Sequence, residues 1–383
     1  MGSQSSKMSK SKYPATENSA IIKESLKDKY EENTVLIKDV ELTYAGEEFY
    51  TTSEGIRATL EKYGIAIIPN VLTEEECSKM NEGMWSTAEH VTSEMEVPVK
   101  RSDPSTYASL FKLKPKDGAG LFHDFGWNHA QYVWDIRSND KVFETYRNIF
   151  GTKDLLVSID GVNCGLGPLI EDPKYKREEI GLFTGKHLLH CEQRYNMNDF
   201  ELVQSWITAN PVKVGDGTLR VIQGSHKLHK EFKDAFSESG IGMGISYNWH
   251  VLHEKQIQWL KDRGCRDICL TVPAGSHVLW DSRTVHCGHK ALATEDLPSH
   301  MRDEPRIHRN VVYVTMVPRK YANKQCMKIR KLLFDKNEPN PYILSGHRAH
   351  EMKTCPQVTQ VDFGVPKMPM PILNSKATKL AGI

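Results

Sequence analysis

Residues 186–196, KHLLHCEQRYN, bring together side chains that commonly bind metal ions. Successive side chains of a β-strand point to opposite faces, so His190 and Glu192 project to one side. His187 and Cys191 project to the other. An imidazole and a carboxylate on one face, joined by a histidine from a distant strand, form the facial triad that binds Fe(II) in non-haem oxygenases. A His-x-Glu pair alone is common by chance, so the prediction of a metal site depends on finding the third ligand.

The missing histidine is expected near the end of a later strand, and the segment 275–289, GSHVLWDSRTVHCGH, contains three. His277 lies inside an apolar strand, as a histidine of a hydrophobic core does. His289 follows a glycine and is expected on a solvated loop. His286 is therefore the predicted distal ligand. Asp281 in the same segment has two interpretations, a metal ligand or the acidic partner of a neighbouring arginine.

A strand that begins with an arginine supplies a further element of such a site. The segment RNVVYVTMVP starts at Arg309 and continues as an apolar strand. A guanidinium in this position can hold a carboxylate through two parallel hydrogen bonds. A 2-oxo acid that chelates iron needs its far carboxylate held in that way. Alone, Arg309 would more often be a surface ion pair, but together with His190, Glu192 and His286 it predicts a cosubstrate site.

Helices are predicted before these residues. Residues 52–64 have apolar side chains at helical spacing, and Gly64 is a suitable end for the helix. Residues 65–72 form the β-branched run that is typical of a strand. Thr73 and Glu76 then have the spacing of a capping box, which opens the next helix.

From residue 155 the hydrophobic pattern changes to the period of two that indicates β-strands, after one helix predicted over 131–151. The strands, separated by turn residues, are LLVSIDGVN, ELVQSWITA, TLRVIQG, DICLTV, SHVLWD and RNVVYVTMV. An insert over 226–264 interrupts them and contains a helix predicted at 253–264. So many short strands favour a mainly β domain with flanking helices, a sandwich or a barrel, over alternating βαβ units.

Composition limits the class of protein. The 383 residues carry a net charge of +1 and are 39% hydrophobic, so no overall field attracts nucleic acid or membranes. The eight cysteines include no CxxC pair, which favours free thiols in a reducing compartment. The sequence has neither an apolar run long enough to span a bilayer nor the apolar region of a signal peptide. We therefore expect a cytoplasmic protein.

The expected organisation is one domain between two polar extensions. Residues 1–33 are rich in Ser, Lys and Glu and are predicted to be a disordered tail. Residues 34–320 contain the helices, the strands and the insert. Residues 321–383 are predicted to form a basic, proline-containing C-terminal extension.

Five blocks, in this order, resemble the phytanoyl-CoA dioxygenase family of Fe(II)- and 2-oxoglutarate-dependent oxygenases. The resemblance runs from about residue 64 to about residue 320. The blocks are YGIAIIPNVLTEEE, the segment 131–163, DGTLRVIQGSHKLH, VLWDSRTVHCG and RNVVYVTMVPR. The third block, a strand that ends in Gly-Ser-His, is among the most specific signatures of the family.

The resemblance implies a double-stranded β-helix, the cupin-like jelly roll, with Fe(II), 2-oxoglutarate and O2 as cofactors. The implied activity is hydroxylation of an organic substrate, a small metabolite or lipid-like molecule, with release of succinate and CO2. By position it assigns His190, Glu192 and His286 to iron, Arg309 to the 2-oxoglutarate carboxylate, Trp206 and Asn163 to the cosubstrate pocket, and His226 to a structural role beside the site. It implies no membrane partner and leaves the oligomeric state open.

Two alternatives remain at this point. The family almost always has Asp where this chain has Glu192, and one added methylene moves the carboxylate by roughly 1.5 Å, while a metal site tolerates misplacement of about 0.5 Å. A catalytically degenerate member that acts as a binding or scaffold protein is therefore one alternative. The other is a nucleic-acid oxygenase, supported by the basic stretch 319–333, although a short basic helix is more often a solvated face.

Overall fold

The structure, a computed structural model, describes residues 33–37, 40–113, 121–122, 125–166, 189–237, 250–337, 365–366 and 368–383. The predicted N-terminal tail, apart from its last residue, lies outside these ranges. His187 and the middle of the C-terminal extension also lie outside them. Within the described ranges the chain forms fourteen β-strands and eight α-helices.

The strands and helices are numbered in chain order. The strands are β1 (Asn33–Ile37), β2 (Val40–Ala45), β3 (Ile65–Ile68), β4 (Leu121–Phe122), β5 (Leu155–Val157), β6 (Val162–Gly165), β7 (His190–Cys191), β8 (Val203–Thr208), β9 (Thr218–Gln223), β10 (His250–Val251), β11 (Arg266–Leu270), β12 (His277–Asp281), β13 (Val285–His289) and β14 (Arg309–Pro318). The helices are α1 (Ile56–Tyr63), α2 (Glu74–Val91), α3 (Gln131–Arg137), α4 (Asp140–Phe150), α5 (His229–Phe236), α6 (Glu254–Asp262), α7 (Lys324–Asp335) and α8 (Ser375–Ala381).

Two sheets carry these strands. The first has the order β1-β2-β11-β9-β13-β7-β10, and the second has the order β3-β12-β8-β14-β6-β4 with β5 paired to β14. Every pair is antiparallel except β2 with β11. Two such sheets packed face to face, with helices over one of them, form the jelly roll, so the predicted fold is confirmed.

The inner faces of the two sheets share one hydrophobic cluster. The second sheet contributes Ile67, Trp206 and Val278, and the first contributes Val221 and Ile268. Burial of an aliphatic side chain such as Ile67 is worth about 1.5–3 kcal/mol, so this interface is a main source of stability. It also fixes how far apart the inner faces lie, and the candidate functional residues project between them.

Helices cover the outer face of the second sheet. Because side chains alternate along a strand, the neighbours of the inward residues point outward. Ile207, Leu279 and Val312 do so, and they belong to the same buried cluster as Met84 of α2 and Val133 of α3. Both faces of this sheet are therefore buried, which explains its nearly continuous apolar strands.

Local signals in the sequence set several helix ends. Gly64 ends α1 in the left-handed conformation, with φ of 78°. Thr73 and Glu76 form the expected capping box at the start of α2. The single helix predicted over 131–151 is wrong, because the chain forms two helices. The Asn139 side chain accepts from the backbone N–H groups of Lys141 and Val142, and it starts α4 as a separate helix.

A buried hydrogen-bond network joins α4 to the second sheet. His277 donates from Nε2 to Ser205 Oγ at 2.8 Å, and both Ser205 Oγ and the Tyr146 hydroxyl donate to the carbonyl of Val314. Burial lowers the pKa of His277 to about 3, so the ring is neutral. The prediction that His277 is a core histidine is confirmed.

The loop position predicted for His289 is wrong. His289 is the last residue of β13, it is half-buried, and it lies opposite Thr218 of β9. The strand continues through Gly288 because β9 runs alongside it and supplies backbone partners on that side. Gly288 therefore does not mark the end of this strand.

The described parts of the C-terminal extension pack against the β domain. The Arg330 side chain of α7 donates to the carbonyls of Val157 in β5 and Ala381 in α8. Burial lowers the pKa of Arg330 to about 10, so it remains charged at neutral pH. Phe334, one turn further along α7, joins the cluster beneath the second sheet. The domain boundary at residue 320 stays a prediction.

Two further expectations concern cysteines and membranes. The seven cysteines among the described residues are buried and form no disulfide with one another. No described helix has both the length and the apolar character needed to cross a bilayer.

Three buried histidines make folding stability depend on pH. Burial lowers the pKa of His226 and of His229 to about 4, and that of His277 to about 3. An exposed histidine in the unfolded chain titrates near 6.5. The unfolded state therefore binds more protons at mildly acidic pH, and the stability from these groups is lost as the pH falls below about 6.5.

We predict that the melting temperature falls between about pH 7 and about pH 5, and that His277→Gln reduces this fall. A Gln side chain can still donate to Ser205 but does not titrate. The variant should lose about 2 kcal/mol less stability over this interval than the wild type. Calorimetric unfolding at a series of pH values measures both slopes, and identical slopes would contradict the prediction.

Candidate metal centre

Two neighbouring strands of the first sheet place two histidines side by side. His190 of β7 lies directly opposite His286 of β13, and their ring centroids are 4.5 Å apart. His286 also lies opposite Val221 of β9, which belongs to the cluster between the sheets. Residues opposite each other in adjacent strands share a face. Both histidines therefore point into the space between the two sheets.

Glu192 follows β7 and reaches the same point. Its Oε1 lies 3.4 Å from Nε2 of His190. One ligand atom from each of His190, Glu192 and His286 can be chosen so that all three lie within 4.8 Å of one another. Donors about 2.1 Å from one ion and at right angles would be about 3 Å apart. The three residues could thus hold a metal with small adjustments of their side chains.

Hydrogen bonds fix the tautomer of His286. Its Nδ1 lies 2.9 Å from the carbonyl oxygen of Thr284, which can only accept, so Nδ1 carries the proton. Nε2 then has a free lone pair directed into the site. Burial and the neighbouring His190 hold the pKa of His286 well below its usual value. The ring is therefore neutral, which is the form that binds metal ions.

Trp280 and Gln204 complete this end of the site, and sequence reasoning did not assign either to it. The indole Nε1–H of Trp280 lies 3.0 Å from Gln204 Oε1 and 3.2 Å from His286 Nε2. Trp280 of β12 lies opposite Gln204 of β8 in the second sheet. The alternation of side chains along a strand is the sequence signal that could have placed Gln204 in the site, because Gln204 is two residues before Trp206 and shares its face.

The residues predicted to bind the cosubstrate also lie close together. Arg309 donates from Nε to Asn163 Oδ1 at 3.1 Å and from its terminal nitrogen to the carbonyl of Gly217. The guanidinium carbon lies 5.4 Å from the centre of the Trp206 ring, within range of a cation–π contact. Burial lowers the pKa of Arg309, although a guanidinium keeps its charge in proteins. Arg309, Asn163 and Trp206 are thus brought together on three strands of the second sheet.

Tyr313 belongs to this group although it was not predicted. It lies four residues after Arg309 on β14 and directly opposite Trp206 of β8, so all three side chains share a face. Burial raises the pKa of Tyr313, and the neighbouring Arg309 guanidinium opposes that rise. The indole nitrogen of Trp206 is buried and has no hydrogen-bond partner among the described residues. The arginine, the phenol and this N–H could together receive a carboxylate.

A row of side chains connects the two ends of the site. Trp280 lies opposite Gln204, and Trp206, on the same face as Gln204, lies opposite Tyr313. The row runs across the inner face of the second sheet, from the candidate metal ligands to Arg309. A single molecule that binds both the metal and the guanidinium would lie along it.

Asp281 is an ion-pair partner in this structure. Its carboxylate is fully buried and accepts two charged hydrogen bonds from Arg283, from Nε at 3.0 Å and from Nη2 at 2.6 Å. Arg283 also donates to the carbonyl of Asn198. Of the two interpretations of Asp281 left open by the sequence, the structure favours the ion pair.

His226 has structural contacts. Its Nε2 donates to the carbonyl of Glu61 at 3.1 Å. A side chain on Gly64 would collide with the His226 ring, so this glycine is needed both for its positive φ and for the close approach. His226 therefore ties the segment after β9 to the end of α1.

Comparison with known proteins gives a family and a fold. Residues 60–293 match the family model described as phytanoyl-CoA dioxygenase (PhyH). The chain is similar to Ava biosynthesis cluster protein O of Aspergillus versicolor, with 26% identity over 251 residues, which is 65% of this chain and 73% of that protein.

Two solved structures have similar folds. A putative oxidoreductase from Salmonella typhimurium LT2 has 11% sequence identity and a TM-score of 0.52 over 88% of this chain and 86% of that one. A hypothetical protein, JW0805, from Escherichia coli has 11% identity and a TM-score of 0.51 over 88% and 85%. At this identity the likeness concerns the fold alone.

We predict that His190→Ala and His286→Ala each lower the affinity for Fe(II) by more than about 100-fold. Mutation of a residue that only hydrogen-bonds to a metal ligand already lowers metal affinity about 10–100-fold, and loss of a ligand itself should cost more. Anaerobic titration followed by metal analysis of the desalted protein measures this. His289→Ala is the matched control, because that residue lies on the same strand as His286 but at its end, and it should retain the metal. Full metal content in either of the first two variants would refute the assignment.

Glu192→Asp tests whether the longer carboxylate is adapted to this backbone. The shorter side chain withdraws its oxygen by roughly 1.5 Å, which exceeds the tolerance of about 0.5 Å for a metal site. We predict that the affinity for Mn(II), used in place of Fe(II), falls about tenfold or more. Isothermal titration measures it, and an Asp variant that binds as tightly as the wild type would disprove this account.

Proposed function

Because this chain belongs to the phytanoyl-CoA dioxygenase family, we propose that it is an Fe(II)- and 2-oxoglutarate-dependent oxygenase that hydroxylates a small organic substrate. The observation that carries the proposal is that the three candidate metal ligands and the half-buried Arg309 lie in the same space between the two sheets. Succinate and CO2 are the expected coproducts.

In this proposal His190, Glu192 and His286 hold the iron. Three protein ligands leave three of six octahedral positions for other molecules. With 2-oxoglutarate and O2, the bound iron supplies the oxidising chemistry that breaks the substrate C–H bond. The protein contributes binding, orientation and exclusion of water.

Arg309, Tyr313 and Trp206 are the proposed receptor for the far carboxylate of 2-oxoglutarate. Arg309 is held in place by Asn163 and Gly217, so its orientation is fixed before the ligand arrives. A preorganised donor group binds more tightly because little conformational freedom is lost. The apolar cluster around Trp206 limits access of water to this end of the pocket.

No side chain is assigned as a general base. His286 is neutral, and its Nδ1 proton is hydrogen-bonded to a backbone carbonyl. The Asp281 carboxylate forms an ion pair with the Arg283 guanidinium. Both groups are therefore committed to structure or to metal binding. Hydroxylation of this type does not require a protein base, so this arrangement supports the proposed reaction.

A small organic substrate fits the charges better than nucleic acid does. The net charge is +1, and the basic stretch 319–333 uses Arg330 inside the protein to hold backbone carbonyls. Nucleic-acid binding depends on exposed cations that meet phosphates. The position of the Glu192 oxygen, 3.4 Å from His190 Nε2, supports an active rather than a degenerate metal site.

The decisive experiment for the function is a screen of candidate organic substrates with Fe(II), 2-oxoglutarate and O2. We expect at least one compound to stimulate succinate release from the wild type and none to do so with His286→Ala. A wild-type protein that binds neither Fe(II) nor 2-oxoglutarate would overturn the proposal.

For the cosubstrate site, we predict that Arg309→Lys weakens 2-oxoglutarate binding about tenfold or more, because Lys keeps the charge but loses the planar pair of donors. Titration of 2-oxoglutarate into Mn(II)-loaded protein measures the affinity. The control is Arg101→Ala, which removes an arginine paired with Glu82 and Glu89 on the surface of α2. An unchanged affinity in Arg309→Lys would exclude bidentate binding by this residue.

A further inference from the structure

The indole N–H of Trp280 lies between two acceptors at the metal centre. Its nitrogen is 3.0 Å from Gln204 Oε1 and 3.2 Å from His286 Nε2. Trp280 and Gln204 face each other on paired strands, so the sheet fixes their spacing. Trp280 is 3% exposed, so bulk water cannot replace either acceptor.

The contact with His286 uses the atom that a metal would need. Nδ1 of His286 carries the proton and donates to Thr284, so Nε2 has the only lone pair in the plane of the ring. That lone pair accepts the indole N–H in this structure. One lone pair cannot serve an N–H and a metal ion at the same time. Metal binding must therefore break the contact between Trp280 and His286, whereas the contact between Trp280 and Gln204 can remain.

We propose that Trp280 is a positioning residue that competes with the metal ion for His286. Without metal, its N–H holds the imidazole with Nε2 directed into the centre. When metal binds, Gln204 alone receives the N–H, so no buried donor is left without a partner. The proposal rests on the metal-binding role of His190, Glu192 and His286 under the proposed function.

This competition requires opposite effects from two substitutions. In Trp280→Phe, the buried Nε2 of His286 has no hydrogen-bond donor while metal is absent. This destabilises the metal-free state, so the metal affinity rises roughly fivefold. In Gln204→Leu the indole N–H keeps His286 in the metal-free state but has no acceptor once metal is bound. The affinity of that variant should fall by a similar factor.

A residue that merely packs against the site would give a different pattern. Loss of packing by Trp280→Phe would loosen the ligands and weaken metal binding. Loss of packing by Gln204→Leu would do the same. Both variants would then change the affinity in the same direction, so the signs of the two effects separate positioning from packing.

The experiment is isothermal titration of Mn(II) into the full-length, metal-stripped protein without 2-oxoglutarate. We expect tighter binding by Trp280→Phe and weaker binding by Gln204→Leu. In the double variant, the Gln204 substitution should have no further effect, because the donor that needs Gln204 is gone. Trp134→Phe is the matched control, since it alters a buried tryptophan of α3, which packs on the outer face of the second sheet, and should leave the affinity unchanged.

Thermal unfolding with and without Mn(II) gives a second measurement. Trp280→Phe should lower the melting temperature of the metal-free protein more than that of the metal-bound protein. Binding that is weaker or unchanged in Trp280→Phe overturns the proposal, as does an equal direction of change in both variants. If Trp280→Phe does not fold, stronger or unchanged binding by Gln204→Leu is sufficient to overturn it.

The control His286→Ala distinguishes failure of this inference from failure of the proposed function. If the wild type does not bind Mn(II), or His286→Ala binds as tightly, the metal centre itself is wrong and the inference falls with it. If binding depends on His286 but the two substitutions lack opposite effects, the metal centre stands and the role of Trp280 is wrong.

Discussion

The antiparallel register of β7 with β13 is the constraint on which the candidate site depends. It places His190 opposite His286, although β7 is a strand of two residues. A slip by one residue would turn His190 away from the interior. The two neighbours of His190 in the chain prevent such a slip. Leu189 and Cys191 point to the opposite face and are almost completely buried in the cluster formed with α5 and α6. Hydrophobic packing on one side of the strand thus fixes a polar centre on the other.

The second sheet imposes an independent constraint. Its strands β12, β8 and β14 hold Trp280, Gln204, Trp206 and Tyr313 in one row by backbone pairing. The distance between that row and the histidines is set by the apolar cluster between the sheets. Neither sheet contains a complete site, so the site exists only when both sheets fold and pack. A core substitution between the sheets can therefore alter the distance from the candidate metal ligands to Arg309.

The parts that were predictable from sequence are those that local patterns determine. The period of two identified the strands that carry Asn163, Trp206 and Arg309, and the apolar strand around His277 marked it as a core residue. The roles of Trp280, Gln204 and Tyr313 were not predictable, because they depend on which strands pair and in what register. That information is absent from any single strand.

The errors have the same physical origin. The break between α3 and α4 depends on the Asn139 side chain capping the second helix, a local bond that competes with continuous helical spacing. The position of His289 depends on β9, which lies about seventy residues earlier in the chain and extends the pairing beyond Gly288. Hydrophobic spacing indicates which face is buried but not where a neighbouring strand ends.

The presence of Glu192 follows from how the chain is anchored around it. On one side, Cys191 pairs with His250 of β10. On the other, the Gln193 side chain donates to the carbonyls of Met197 and Asp199, at 2.6 Å and 2.9 Å, and its backbone N–H donates to Ser282. The backbone at Glu192 is thus held on both sides and cannot move toward the histidines. With the backbone fixed, only the side-chain length can adjust, and the additional methylene of Glu brings its oxygen to 3.4 Å from His190 Nε2. The departure from Asp is therefore better explained as an adaptation of the candidate ligand to this loop than as decay of the candidate site.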